Sequence, residues 1–426
     1  MKHRLQTLLL CIIAITSLLS SCEKTPTPTP PPTAKKQTML LYMVGRDLMI
    51  KGYYRKNLES LCEGVTASLP SDGRILVCYQ PNSHDEATLL EVKYDSKTKA
   101  GKQVILKEYT EFAHKNPADL QQLFLDIQTF APAEQYGLII GSHGKGWVPA
   151  AEGQMTSRIV PLKPDAQDAV SDDLFQPLPY AQPTRSFGDV EHEIDVPQLA
   201  SVLESLPYRF DYAIFDACLM SSIDVLYDLR NHFDEIVASP TEIMGDGFPY
   251  KAILPHLFAD NEQGYNMERV CEEYYRHYND NEEEWVYCSS TGESRPSACV
   301  ARCITSELEG LAEATKALYL SPRQEIRLPD LQAYEGMTRH VFLDFEQYAR
   351  MAYPAPSLLY AFRAAFDRAF PPENRLHTQS FYSAYNNRHN PIEEGCYSGV
   401  STSESSERYR ESYAKTAWYR ATREAN

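Results

Sequence analysis

Two short motifs bring groups capable of nucleophilic catalysis to the ends of apolar runs. YGLII (136–140) leads into Gly141, Ser142, His143 and Gly144, and YAIF (212–215) leads into Asp216, Ala217 and Cys218. A thiol is a weak nucleophile until it ionises. An imidazole beside it can take its proton or hold the thiolate as an ion pair. In that arrangement Cys218 attacks a peptide carbonyl and His143 later protonates the leaving amine. The tetrahedral oxyanion then needs preorganised donors. Gly144 has no Cβ, so its backbone N–H can approach closely. The Cys218 N–H, ahead of a following helix, is the natural second donor. A single cysteine or a single His-Gly after a strand is usually structural. The two together, each closing an apolar run, point to a catalytic pair.

The elements that must position this pair are legible as a pattern. MLLYMV (39–44), ILVCY (75–79), YGLII (136–140), YAIF (212–215) and IVA (236–238) are unalternating apolar runs. Such runs suit strands buried on both faces of a parallel sheet. Helical spacing lies between them, over 120–130, 196–206 and 223–229. Alternation of strand and helix predicts an α/β fold with a doubly wound, mostly parallel sheet flanked by helices. In such sheets ligands bind beyond the carboxyl ends of the strands, which puts His143 and Cys218 on one functional edge. After Pro249 the chain becomes more helical, with helices expected over 252–258, 307–318 and 358–370. Strands are expected over 285–289, 298–303 and 379–385. The expected domains are a peptidase core over 38–250 and a C-terminal α+β extension over 251–426 packed on it.

The first 21 residues read as a secretory signal: Lys2, His3 and Arg4, then an apolar run from Leu8 to Leu19. Leu19-Ser20-Ser21-Cys22 resembles a bacterial lipobox, in which Cys22 would carry lipid. Glu23 follows it, unlike the inner-membrane retention signal. TPTPTPPP (25–32) favours polyproline II, so residues 22–37 form a lipidated stiff spacer. The expected location is an exported lipoprotein on the outer membrane or cell surface. The net charge of -17 excludes nucleic acid as a partner and suits basic peptides. Ten cysteines in 426 residues are too few for a disulfide framework. Cys299 and Cys303 have no second pair to complete a zinc site. His192 with Asp195, and His84 with Asp85, read as surface-loop residues. No calcium-loop motif is present, so no cofactor is expected.

The two motifs resemble the caspase-like clan of cysteine peptidases, where one strand precedes His-Gly and another precedes Ala-Cys. The caspase signature Q-A-C-x-G, with its histidine about 50 residues earlier, is not met. Asp216 replaces the glutamine, no glycine stands two after Cys218, and Cys218 follows His143 by 75 residues. Asp-Ala-Cys-Leu-Met (216–220) is similar to the clostripain family instead. So are the opening strand ending in Tyr42 and Met43, the Arg185 to Asp189 stretch, and Gly245-Asp246-Gly247-Phe248-Pro249-Tyr250. The resemblance covers residues 38–250 well. It implies a caspase-like α/β sandwich with a C-terminal extension, cleavage after Arg or Lys, and self-processing in several members.

Asp216 lies two residues before the thiol, on the same side of the strand. The resemblance gives it a basic P1 side chain to bind, with Asp246 as a second acid; a helix cap and a turn residue are the structural alternatives. Residues 151–183 hold Pro161, Pro164, Pro177, Pro179 and Pro183 among several aspartates, with no periodicity. An exposed segment of that kind is open to cleavage. Arg158 and Lys163 are favoured over Arg185 as self-cleavage sites, because Arg185 belongs to a family-like stretch. Two rival functions stand beside this one: a catalytically silent lipid-anchored binding protein on the same fold, and a caspase-like peptidase of acidic P1 preference. Asp216 has the wrong sign for the latter.

Overall fold

The computed structural model describes residues 34–44, 48–80, 86–113, 116–149, 178, 181–184, 194–404 and 409–423. Cys22, His84, Asp85, Arg158, Lys163, Arg185 and His192 lie outside the described residues, as do the signal sequence and nearly all of the spacer and the 151–183 segment.

Nine strands form one sheet: β1 (Lys35–Val44), β2 (Gly73–Gln80), β3 (Ala87–Asp95), β4 (Ala100–Tyr109), β5 (Ala133–Gly141), β6 (Tyr212–Asp216), β7 (Glu235–Ala238), β8 (Cys299–Ile304) and β9 (Leu376–His377). Their order is β9-β8-β7-β6-β5-β1-β2-β3-β4. The five expected apolar runs are the five central strands, and every pair among them is parallel. Their residues are almost wholly buried, as a sheet covered on both faces requires. β1 begins at Lys35, three residues ahead of the expected start at Thr38.

The winding reverses at β1, which pairs β2 on one side and β5 on the other. Right-handed crossovers in opposite directions send their helices to opposite faces. One helical layer holds α1 (Leu48–Gly64), and the other holds α2 (Pro117–Phe130), α3 (Val196–Glu204) and α4 (Ile223–Leu229). α5 (Tyr250–Leu257) and α6 (Met267–Asn279) pack beside α1. α7 (Leu308–Tyr319), α8 (Phe345–Ala352), α9 (Pro356–Ala369), α10 (Arg410–Tyr413) and α11 (Ala417–Arg423) complete the described helices; α7 and α11 continue the α4 layer.

The region after Tyr250 extends the same sheet. β8 pairs antiparallel with β7, and β9 with β8, and the described residues belong to one compact unit. The β3–β4 hairpin and α6 were not apparent from the sequence. β4 reads AGKQVILKEY and is largely exposed, so no apolar run marks it. α6 buries Met267, Val270, Cys271, Tyr274 and Tyr278 beneath a charged outer face.

Candidate active site

β5 and β6 are in register such that Gly141 pairs with Asp216. His143 and Cys218 each follow two residues later, so adjacent parallel strands release both at one level of the same edge. This edge adjoins the reversal at β1. Tyr54 of α1 ties it together: its Oη lies 2.8 Å from Gly141 O and 3.3 Å from Val44 O. Ser142 Oγ also donates to Val44 O, at 3.2 Å.

The two loops touch through their backbones. A Cβ on Gly144 would lie 2.2 Å from Cys218 O and 3.0 Å from Cys218 N, so only glycine allows the approach. His143 is partly buried and Cys218 is fully buried. The Ile243 N–H donates to Cys218 Sγ at 3.0 Å. Leu219 follows with φ of 62°, the left-handed region a leucine rarely occupies. Its N–H donates to Thr241 O at 3.0 Å, and the Ser221 N–H to Ser239 O at 2.9 Å. The chain leaving β7 thus runs alongside the loop leaving β6. α4 starts at Ile223 with Ser222 at its N-cap. The Cys218 N–H is therefore outside the helix's first turn, so the expectation that a helix start orients it is not met.

Asp216 ends β6 and is fully buried; Tyr250 Oη, from the first residue of α5, donates to its Oδ2. With Ser222 at the N-cap of α4, the helix-cap alternative for Asp216 fails. Asp246 sits in the turn before α5, where Gly247 has φ of 71° and Tyr278 Oη donates to Gly247 O at 2.6 Å. Its carboxylate pairs with Lys56 Nζ at 3.3 Å, and Asn57 Nδ2 donates to its carbonyl at 2.6 Å. The backbone of Gly245 lies against the Tyr53 ring. Burial and the nearby Asp246 raise the Tyr53 hydroxyl above its ordinary pKa.

The remaining candidates lie elsewhere. Asp195 is the N-cap of α3, its N–H donated to Gln198 Oε1 at 3.3 Å. Cys299 and Cys303 are buried in β8.

Sequence reasoning missed Glu242. It is buried, accepts from Thr184 Oγ1 at 2.9 Å and from the Ala384 N–H at 3.2 Å, and burial pushes its carboxyl up to about 7. The signal was an acid inside the otherwise uncharged stretch SPTEIM (239–244). Ile243 and Tyr54 carried no signal, because each acts through a contact distant in sequence, and Tyr250 stood out only as the end of the family-like stretch from Gly245.

A doubly wound sheet with a thiol and an imidazole loop in backbone contact at its switch edge defines a cysteine peptidase of caspase-like architecture. The profile of the clostripain family matches residues 184–419, more than half of the chain, and the chain belongs to that family. Asp216, Cys218 and Asp246 fall within the matched span; His143 and Gly144 precede it.

Solved structures share the fold. A secreted C11 cysteine protease from Bacteroides thetaiotaomicron, "iotapain", is 24% identical with a TM-score of 0.73, covering 92% of this chain and 100% of its own. A secreted C11 protease of the same organism, in complex with an irreversible peptide inhibitor, is 21% identical with a TM-score of 0.71, covering 91% of this chain and 99% of its own. An inactive zymogen C11 protease from Parabacteroides distasonis is 24% identical with a TM-score of 0.69, covering 92% and 99%. No curated protein sequence matches the chain.

Proposed function

We propose that this cysteine peptidase is an endopeptidase cutting after Arg or Lys, with Cys218 as nucleophile and His143 as general base and acid. The observation that carries the reading is the β5–β6 register, Gly141 against Asp216, with Gly144 packed on the Cys218 backbone. Cys218 gives its proton to His143 and attacks the scissile carbonyl. The Gly144 and Cys218 N–H groups stabilise the oxyanion. His143 then protonates the leaving amine, and water releases the acyl group. Asp216, with Asp246 at the rim, receives the P1 cation. A buried carboxylate gains strongly from a guanidinium or ammonium that can bond it directly.

Cys218 and Asp216 are both fully buried, so substrate reaches them only after a rearrangement. We assign that step to self-cleavage between His143 and Cys218, at Arg158 or Lys163, with Arg185 as the third basic candidate. The zymogen described for the Parabacteroides protein supports a latent form here. Wild type should then split into two associated fragments while Cys218→Ala stays whole. Two neighbours described as secreted support export, and Cys22 is the proposed lipid-bearing residue. Cys22→Ala should move the protein out of the detergent phase.

P1 preference is read with reporter peptides bearing Arg, Lys, Ala or Asp at P1. The reading requires hydrolysis of the first two. Turnover of the aspartyl peptide alone overturns the specificity, and turnover of none leaves the binding-protein reading.

A further inference from the structure

The loop that carries His143 runs through two glycines. Gly144 and Gly146 let it press on the Cys218 loop: a Cβ at Gly146 would lie 3.0 Å from Leu219 O and 2.5 Å from the Phe342 ring. These two positions have no side chain to restrict their own dihedrals. A general base off its mark by an ångström costs catalysis heavily, so an anchor for this loop matters to the rate.

That anchor comes from the far C-terminal part of the chain. Trp147, four residues after His143, is buried, and its Nε1–H donates to Ser403 Oγ at 2.8 Å. The indole packs edge-on against Tyr413 at 5.0 Å and Tyr409 at 6.4 Å. The same short segment holds the other loop. Ser221 Oγ donates to Gly399 O at 2.7 Å, and the Ser401 N–H donates to Ser221 O at 2.9 Å. Gly399, at φ of 76°, turns the chain into the short strand Ser401–Thr402, and Ser403 follows directly. Gly399 and Ser401 take the Cys218 loop and Ser403 takes the His143 loop. The stretch is itself fixed by pairing of Ser401–Thr402 with Leu343–Asp344.

We propose that Gly399–Ser403 is a positioning segment for the catalytic site, with Ser403 setting the His143 loop through the indole of Trp147. This rests on the assignment of His143 and Cys218 as the reacting pair. Neither Ser403 nor Trp147 touches substrate in this account.

The test uses the full chain, with Trp147→Phe, which removes the N–H and keeps an aromatic ring, and Ser403→Ala, which deletes one oxygen. Active sites are titrated with an irreversible peptidyl-lysyl ketone, so that rates refer to folded, competent enzyme. Each variant should lose about tenfold in kcat with KM within about twofold, as expected for a misplaced general base. The pH profile of iodoacetamide alkylation of Cys218 should move to higher pH. The double variant should be no slower than the slower single one, because both remove one interaction. Wild-type kcat per titrated site in Ser403→Ala overturns the proposal, as does an unmoved alkylation profile. Should Trp147→Phe fail to fold, Ser403→Ala decides alone. Cys218→Ala run in parallel separates the two claims: activity there overturns the catalytic pair, whereas an inactive Cys218→Ala beside a full-rate Ser403→Ala overturns only the positioning role.

Discussion

The backbone N–H of Ile243 is aimed at Cys218 Sγ, 3.0 Å away. It places a donor where negative charge resides when the thiol ionises. Ile243 belongs to a segment that runs from β7 past the Cys218 loop, and the neighbouring Glu242 hangs that segment on two distant parts of the chain through Thr184 and Ala384.

Glu242 makes the stability of this arrangement depend on pH. Burial lifts its carboxyl from the ordinary 4.5 to about 7, with the nearby Glu335 carboxylate adding to the rise. The folded protein holds this proton more tightly than the unfolded chain. The associated stability is complete below about 4.5 and is lost as pH climbs through about 7. Glu242→Gln stays neutral throughout. Its melting temperature should gain on wild type by several degrees between about pH 5 and pH 8. A constant difference across that range contradicts the assignment.

Gly144→Ala should disable the enzyme. The new Cβ would fall 2.2 Å from Cys218 O, a backbone atom that no side-chain rotation can move aside. Overpacking of this kind costs about 1–3 kcal/mol, and the displacement falls on the reacting groups. Turnover per folded molecule should drop by about 100-fold. An alanine variant with near-wild-type kcat would mean that the loops can part without consequence.

Asp216→Asn should act on charged substrates selectively. Breaking a desolvated ion pair on one side costs about 3–5 kcal/mol. Losses on arginyl and lysyl reporters should therefore exceed those on neutral P1 analogues by about 100-fold or more. Tyr250→Phe removes only the hydroxyl that donates to Asp216. A hydrogen bond to a charged group contributes about 1.5–3 kcal/mol, so its effect should be smaller and in the same direction. Equal losses on charged and neutral reporters would make Asp216 a structural residue.

Lys56 offers Asp246 the same cation that a P1 lysine brings. The pair spans 3.3 Å and is well exposed, at 64% for the lysine side chain and 43% for the aspartate. Such pairs contribute about 0.2–1 kcal/mol, weak enough for substrate to displace. Lys56→Ala should lower KM for lysyl peptides by about two- to fivefold at low salt, and the gain should vanish at high salt. A neutral-P1 peptide should not respond. An unchanged KM would remove Asp246 from the substrate path.

The central sheet was legible because its five parallel strands are buried on both faces and therefore read as unbroken apolar runs. The proposed active-site edge followed from it, since MLLYMV (39–44), YGLII (136–140) and YAIF (212–215) are neighbours in the sheet and the proposed reacting pair follows the carboxyl ends of the last two. The β3–β4 hairpin stayed hidden because an exposed edge strand needs no apolar run. Glu242 was hidden because nothing local announces that Ala384, 142 residues away, will donate to it. Contacts of this kind belong to the tertiary fold and leave no period in the sequence.

The role of Cys218 is tested most directly by treating the purified full chain with an irreversible peptidyl-lysyl ketone and mapping the adduct by mass spectrometry, with arginyl-peptide hydrolysis measured on the same samples. The account predicts one adduct, on Cys218, with loss of hydrolysis in step with labelling, and neither adduct nor hydrolysis in Cys218→Ala. An adduct on another cysteine, or a Cys218→Ala protein that still cleaves the arginyl peptide, would contradict it.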